Sequence, residues 1–338
     1  MRHPISRGGA HLNAITSSAD TANLRDILNT CYPVCVDQID LHRDMIGYVY
    51  IAEGTLKKKG AVGRAIKYIL KLFRPFDTEN ALRSIGILQY LQQQDYPVVS
   101  IVLTRAGDSH VSIDTPRGTS IAILFDYLDG PEPDRKTEIV HLARQVGRLH
   151  KIMDTYPDPL LRRGKDFYVD RYLTILQSLD YPPSRISDLA AYGSECWSRL
   201  ERLPAGFCHG DLHTGNMCQS GPGRYVLFDF DNASRTHALI DIATLCDDSD
   251  FNRFDLAAYD RTMQVFERFY QGYRREREIS DAEIAAIFEF IPIRHYEIIA
   301  TITQCQGIQD LSRAFLDEQY DWLMRWRDLC ERKVQPGG

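Results

Sequence analysis

The chain is 338 residues long, enough to bury a large core and suited to two lobes or a pair of domains, and its 44% hydrophobic and 25% charged content is ordinary for a globular protein. A net charge of −6 argues against a nucleic-acid binder, which normally shows a basic balance. No apolar run approaches the ~20 residues that span a bilayer, and the N-terminus lacks an apolar signal core. The eight cysteines fit no zinc or redox spacing, Cys31 and Cys35 being the close pair, so a cytoplasmic protein with reduced thiols is expected.

Residues 1–20 are polar and glycine-containing, and a flexible segment is expected there. From 21 to 128 the pattern predicts a β-rich lobe with one helix. Residues 48–52 and 65–73 read as strands joined by a basic turn at 53–60. Residues 77–94 read as a helix capped by Asp77 or Thr78, with Ala81, Leu82, Ile85, Leu88 and Leu91 at helical spacing. Tyr96 and Pro97 end it, 98–103 and 120–125 follow as strands, and the Gly-Pro-Glu-Pro stretch at 130–133 marks a boundary. From 136 the chain turns helical, with a stripe of Ile139, Val140, Ala143, Val146, Leu149 and Ile152. Further helices are expected at 167–180, 187–203, 254–275, 281–291 and 310–331. A β-rich lobe at 21–128 followed by a helical lobe at 129–338 predicts an α+β protein.

The stretch His209-Gly-Asp-Leu-His-Thr-Gly-Asn216, followed by Leu227-Phe-Asp-Phe-Asp231, carries the chemistry. Phosphoryl transfer needs a carboxylate that orients the attacking hydroxyl and accepts its proton, then an amide oxygen and a second carboxylate that hold metal ions on the phosphates. Asp211 and Asn216 keep the His-x-Asp-x4-Asn spacing of a kinase catalytic loop, and Asp229 follows a Gly-Pro-Gly turn at 221–223. Two other readings compete. Asp211 and Asp229 are residue types that cap turns, and His209, Asp211 and His213 contain zinc-ligand types. The second is disfavoured because Gly210 and Gly215 indicate a loop rather than a helical ligand frame. On the β-rich side, Lys67 and Lys71 share one strand face, so alternation leaves both as phosphate-binding candidates. Neither a Gly-x-Gly-x-x-Gly loop nor a Walker P-loop is present.

These motifs resemble the aminoglycoside phosphotransferase/choline kinase-like superfamily, which has a two-lobed, protein-kinase-like fold. The resemblance rests on His209-Gly-Asp211, Asn216, Asp229-Phe-Asp231 and Asp241-Ile-Ala243, and on Leu149-His150 and Tyr68-Ile-Leu-Lys71, and spans most of residues 40–310. The turn at 230–233 and the Tyr-Arg-Arg near 273 look nearest to the type 2 homoserine kinase-like branch. The resemblance implies that ATP binds between the lobes, that Lys71 reaches its phosphates, and that the turn at 42–47 stands in for the glycine loop. Glu79, the only glutamate of its helix, is the implied partner of Lys71, although a first-turn acid also serves the helix dipole. Backbone groups of Asp126, Tyr127 and Leu128 would hold the adenine at a hinge.

In the second lobe it implies that Asp211 is the catalytic base, His209 braces the loop, Asn216 and Asp229 hold Mg²⁺, Asp241 ties the loop down, and His150 lies buried beneath it. Asp247, Asp248, Asp250 and Asp255 either receive a substrate ammonium or form a solvated loop that caps a helix. Arg294 and His295 lie on a helix expected to line the acceptor pocket, where they would hold a substrate carboxylate. The expected activity is ATP- and Mg²⁺-dependent O-phosphorylation of a small amino-containing metabolite, a homoserine-like amino alcohol or an antibiotic. The alternative is a Ser/Thr kinase acting on a protein or biosynthetic peptide. No nucleic-acid or membrane partner is expected.

Overall fold

The computed structural model describes residues 18–44, 47–56, 64–115, 118–307 and 311–334. The expected flexible segment lies outside them up to residue 17, and the expected turns at 42–47 and 53–60 lie partly outside. The chain divides into two compact units, Met1–Ile85 with Val99–Leu128, and Gly86–Val98 with Asp129–Gly338.

The first unit holds helix α1 (Ser18–Cys31), strands β1 (Val36–Asp44), β2 (Tyr48–Leu56) and β3 (Arg64–Phe73), the start of helix α2 (Thr78–Gln93), and strands β4 (Val111–Thr115) and β5 (Gly118–Asp126). The strands form one antiparallel sheet in the order β1-β2-β3-β5-β4, which puts β3 at its centre. Leu70 and Leu72 of β3 are 1% exposed and face a core shared with Leu24 and Leu28 of α1 and with Tyr32. Strand alternation therefore turns Lys67, Ile69 and Lys71 to the opposite face.

The second unit takes over the rest of α2. Tyr90 packs edge-on to Tyr156 at 5.1 Å and its hydroxyl lies 2.9 Å from that of Thr155, while the Tyr96 hydroxyl donates to the Gln145 carbonyl at 3.0 Å. These contacts assign 86–98 to the second unit, whereas the sequence grouped that segment with the β-rich lobe. The unit continues with helices α3 (Arg135–Met153), α4 (Arg171–Ser178) and α5 (Pro183–Leu200), strands β6 (Gly206–Cys208), β7 (Met217–Gly221), β8 (Arg224–Leu227) and β9 (Ser234–Thr236), and helices α6 (Leu239–Cys246), α7 (Ala258–Tyr273), α8 (Asp281–Ala285), α9 (Ile287–Gln306) and α10 (Arg313–Val334). Asp134 caps α3 by accepting from the Lys136 amide at 3.0 Å. Gly272 lets α7 close on α3, because a Cβ there would fall 2.0 Å from the Val140 carbonyl oxygen.

Three elements depart from the sequence pattern. Residues 98–103 form no strand and make only single bridges, Val98 with Leu227 and Ile101 with Phe125. The helix expected at 167–180 opens as a π-helical turn, Asp166–Asp170, before α4. The helix expected to stop at 291 instead runs through Pro292. Proline has no N–H for the Phe288 carbonyl one turn back, and the buried Trp326 indole N–H of α10 occupies that carbonyl instead, at 3.3 Å.

Candidate active site

The catalytic segment runs from the end of β6 to the start of β7, and one buried carboxylate fixes its course. Asp241, in the first turn of α6, is 0% exposed and accepts from the amides of His209 (2.7 Å) and Gly210 (2.9 Å), from Cys208 Sγ (3.3 Å) and from His150 Nε2 (3.1 Å). Burial opposes its charge, but the hydrogen bond and charge of His150 outweigh that and hold its carboxyl below the usual carboxylate range. His150 is itself held by the Tyr273 hydroxyl at 2.9 Å, across the α3–α7 contact that Gly272 permits. Gly210 is required on two counts. Its φ is +83°, and a Cβ would lie 2.5 Å from the Asn232 carbonyl oxygen.

His209 turns its ring under the following motif, where Nε2 donates to the Phe228 carbonyl at 3.1 Å and the ring packs on Phe230 at 4.5 Å. Its burial favours the neutral ring and lowers its pKa. A neutral, buried imidazole of this kind braces the backbone on which it is packed.

The β7–β8 hairpin explains why Asn216 and Asp229 come together. Met217 pairs with Leu227, so the residues flanking that pair face one another, and the Phe228 amide donates to the Asn216 carbonyl at 3.1 Å. Asn216 Nδ2 donates to the Asp211 carbonyl (2.8 Å) and to Asp211 Oδ2 (3.2 Å), which leaves Oδ1 as a hard oxygen donor. Asp229 sits at φ +66°, ψ +58°, a left-handed conformation that costs a non-glycine residue ~1–3 kcal/mol and marks functional turns. Among the described residues no three His, Cys, Asp or Glu side chains gather as a metal site. An amide oxygen and a carboxylate fit Mg²⁺, which is usually held by one or two carboxylates and completed by phosphates and water.

Asp211 makes a contact that the sequence did not reveal. Arg294 of α9 pairs with its Oδ1 at 2.5 Å, donates to the Gly210 carbonyl at 3.2 Å and pairs with Glu297. His213 Nδ1 accepts from the Gly215 amide at 3.0 Å, so its Nε2–H faces Asp211 Oδ2 at 3.7 Å. Burial works to raise the Asp211 carboxyl, but the facing His213 ring and the Arg294 charge hold it well below the usual carboxylate range. Asp211 is therefore ionised throughout the physiological range and fixed from three sides.

The acidic loop after α6 is engaged elsewhere in the second unit. Asp248 pairs with Arg135 and with Arg261, at 2.5 Å for the latter. Asp247 accepts from the Ser249 amide and hydroxyl, Asp250 from the Asn252 amide, and Asp255 from Arg261 at 2.6 Å. His295 points away from Arg294 into the core, where it meets Gln319 at 2.8 Å and stacks on Trp322 at 4.2 Å.

In the first unit, Lys71 is half-buried at the centre of the sheet, opposite Val49 and Ile123, with Nζ 5.2 Å from the Phe73 ring centroid. Lys67 is more exposed and pairs with Glu53, its cross-strand partner, at 2.6 Å. Glu79 opens α2 with a side chain 86% exposed and lies 3.4 Å from Arg83, which fits the first-turn role of an acid. The β3–β5 ladder ends at Asp126, so the backbones of Tyr127 and Leu128 lie beyond its last pair.

Residues 55–279 match the model of a phosphotransferase enzyme family. Amicoumacin kinase of Bacillus subtilis is 25% identical over 204 residues, 55% of this chain and 58% of that protein. Among solved structures, an amicoumacin kinase in complex with AMP-PNP and Ca²⁺ superposes with a TM-score of 0.71 at 23% identity, over 94% of this chain and 96% of that one. A microcompartment-associated aminopropanol kinase gives 0.68 at 20% identity, over 93% and 98%. The chain shares their fold: a β-sheet unit followed by a helical unit that carries the loop motif.

Proposed function

The chain belongs to the phosphotransferase enzyme family, and from that premise we propose that it moves the γ-phosphoryl group of ATP, with Mg²⁺, to a hydroxyl of a small amino-containing metabolite. The observation that carries this reading is the convergence of Asp211, Asn216 and the turn at Asp229 through the β7–β8 hairpin. Homoserine-like amino alcohols are the leading acceptors, in line with the type 2 homoserine kinase-like motifs of the chain, and the neighbouring kinases act on amicoumacin and aminopropanol.

Asp211 orients the acceptor hydroxyl and takes its proton as the oxygen bonds to the γ-phosphorus and the bond to the bridging oxygen breaks, releasing ADP. Its depressed basicity suits a loose transition state, in which the hydroxyl needs aiming more than early deprotonation. Asn216 Oδ1 and Asp229 are the groups to hold the metal, which would neutralise charge on the phosphates. Lys71 supplies a cation from β3, and the backbones of Tyr127 and Leu128 offer adenine contacts. Asp241 keeps the loop rigid, so little is spent on ordering it at the moment of reaction.

The test is ADP release and transfer from γ-labelled ATP over a panel of amino alcohols, aminoglycosides and peptides. Asp211→Asn keeps the shape but removes the proton acceptor, and should cost ~10²–10⁴ in kcat while nucleotide binding holds. Near-native turnover of Asp211→Asn would remove this assignment. Transfer confined to peptides would move the protein to the peptide-kinase alternative.

A further inference from the structure

The Gly130-Pro-Glu-Pro133 stretch leads into α3 and is bound to the catalytic segment at three points. The Gly130 amide donates to Cys218 Sγ at 3.2 Å, the Pro131 carbonyl accepts from the Gln219 amide at 2.9 Å, and Glu132 Oε1 accepts from the Thr214 hydroxyl at 2.6 Å. The first approach is close enough to require glycine, because a Cβ on Gly130 would fall 2.1 Å from the Gln219 carbonyl oxygen. The far end of the stretch is fixed in turn. Asp134 caps α3, its amide donates to Glu138 Oε2 at 3.1 Å, and Glu138 Oε1 accepts from the Gln219 side chain at 2.9 Å.

These points fall on either side of one residue. Thr214 precedes Asn216 in the short 3₁₀ turn Thr214–Asn216, and Cys218 and Gln219 follow it on β7. The buried Asp241 network acts on Cys208, His209 and Gly210, at the opposite end of the loop. The course of the chain around Asn216 is therefore set by a second group of contacts. Proline on either side of Glu132 fixes φ at both positions, so its carboxylate is presented by a stiff backbone. A hydroxyl that donates to an ionised carboxylate makes one of the stronger hydrogen bonds. Mg²⁺ in turn demands near-ideal octahedral geometry with oxygens at ~2.0–2.1 Å. Partners that orient a metal ligand therefore set affinity without touching the ion.

We propose that Gly130–Glu132 braces the metal ligand Asn216 from both sides, with Glu132 as a positioning residue that acts through Thr214. The inference rests on the phosphotransferase reading, in which Asn216 Oδ1 holds Mg²⁺. A stretch that the sequence offers only as a boundary thereby takes part in setting metal affinity.

The test is calorimetry of AMP-PNP binding to the full chain over a series of free Mg²⁺ concentrations. Glu132 is exposed, so its variants remove no core packing. Glu132→Ala and Thr214→Val should each raise the Mg²⁺ concentration for half-maximal binding by about tenfold, the low end of the cost of losing a partner that orients a metal ligand. The double variant should lose no more than either single one, because both remove the same bond. Glu132→Gln keeps an oxygen that accepts from Thr214, and Thr214→Ser keeps the hydroxyl, so both should recover most of the affinity. AMP-PNP binding without Mg²⁺ should be alike in all of them. An unchanged Mg²⁺ response in Glu132→Ala, losses that add in the double variant, or a loss in Glu132→Gln as large as in Glu132→Ala each overturns the brace. Asn216→Ala separates the two failures. If it loses the Mg²⁺ response while Glu132→Ala keeps it, the brace alone is rejected. If it keeps the response, or the wild type shows none, the metal role assigned under the phosphotransferase reading falls and takes the brace with it.

Discussion

The loop around Asp211 in the second unit and strand β3 in the first each offer a charged side chain for phosphate chemistry, but they fix it by different means. Lys71 owes its place to backbone: it is the central-strand residue opposite Val49 and Ile123, and a one-residue slip of register would turn it into the Leu70–Leu72 core. Asp211 owes its place to side chains drawn from distant parts of the sequence, among them Asp241, His150, Asn216 and Arg294. A position set by register tolerates changes of neighbouring side chains, whereas a position set by a buried polar network fails when any one member is removed. The two halves should respond differently to mutation.

The largest effect is expected at Asp241, which touches no substrate. Asp241→Asn places an amide where four donors converge, and hydrogen bonds to a buried charged acceptor are worth ~1.5–3 kcal/mol each. Chemical denaturation should show that loss, together with an inactive loop. A stable, active variant would mean that the loop is held by something other than this network.

Next in size is the pair proposed to hold the metal, Asn216 and Asp229. Asp229→Ala should abolish Mg²⁺-dependent ATP binding in a calorimetric titration, and Asp231→Ala should weaken it much less. The reverse ranking would hand the ligand role to Asp231.

In the register-built half, Lys71→Ala should raise the KM for ATP or collapse kcat, while Lys67→Ala, whose residue pairs with Glu53, stays near wild type. Glu79→Gln should do little in steady-state kinetics, because its exposed pair with Arg83 is worth ~0–1 kcal/mol. A nucleotide complex with Lys67 on the phosphates would reject this choice of lysine.

The smallest effect sharpens the comparison through acid. His295, pressed among Gln319, Trp322 and Phe251, has its pKa lowered by burial to about 3, and His237 is lowered by burial despite the Pro204 carbonyl, Glu283 and Glu201 nearby. Both belong to the second unit and are neutral when folded. The unfolded chain binds their protons near the ordinary histidine pKa, so their contribution is complete above about pH 6.5 and is lost as pH falls below it. Each contributes up to about 1.4 kcal/mol per pH unit in that window. Urea unfolding at pH 5 and at pH 7.5, followed by tryptophan emission, should show the second unit losing stability in acid. His295→Gln should flatten the difference.

The catalytic loop was legible because its residues lie within eight positions and their spacing is a chemical requirement. The same holds for Asp229, since a short hairpin brings it back to Asn216. The contacts of Arg294, 83 residues beyond Asp211, carry no local signal, nor does the bond from Thr214 back to Glu132. Helix α6 was missed as an element because nearly all of it is buried, which erases the periodicity that betrays a surface helix. Strand β4 and helix α1 lie at the margins of the first unit, where short or polar segments leave a weak pattern. The continuation of α9 through Pro292 was not legible because the indole that compensates for the proline lies 34 residues further along.

That proline gives the molecule a built-in optical probe. Of three tryptophans in the chain, Trp322 and Trp326 stack on one another at 5.3 Å, one against His295 and the other bonded to the carbonyl that Pro292 leaves open. Arg294 lies two residues beyond the proline, on the same helix. An acceptor that meets Asp211 and shifts its partner Arg294 with this part of α9 would disturb the indoles, so emission from an unlabelled sample offers a way to screen acceptors before any product is identified.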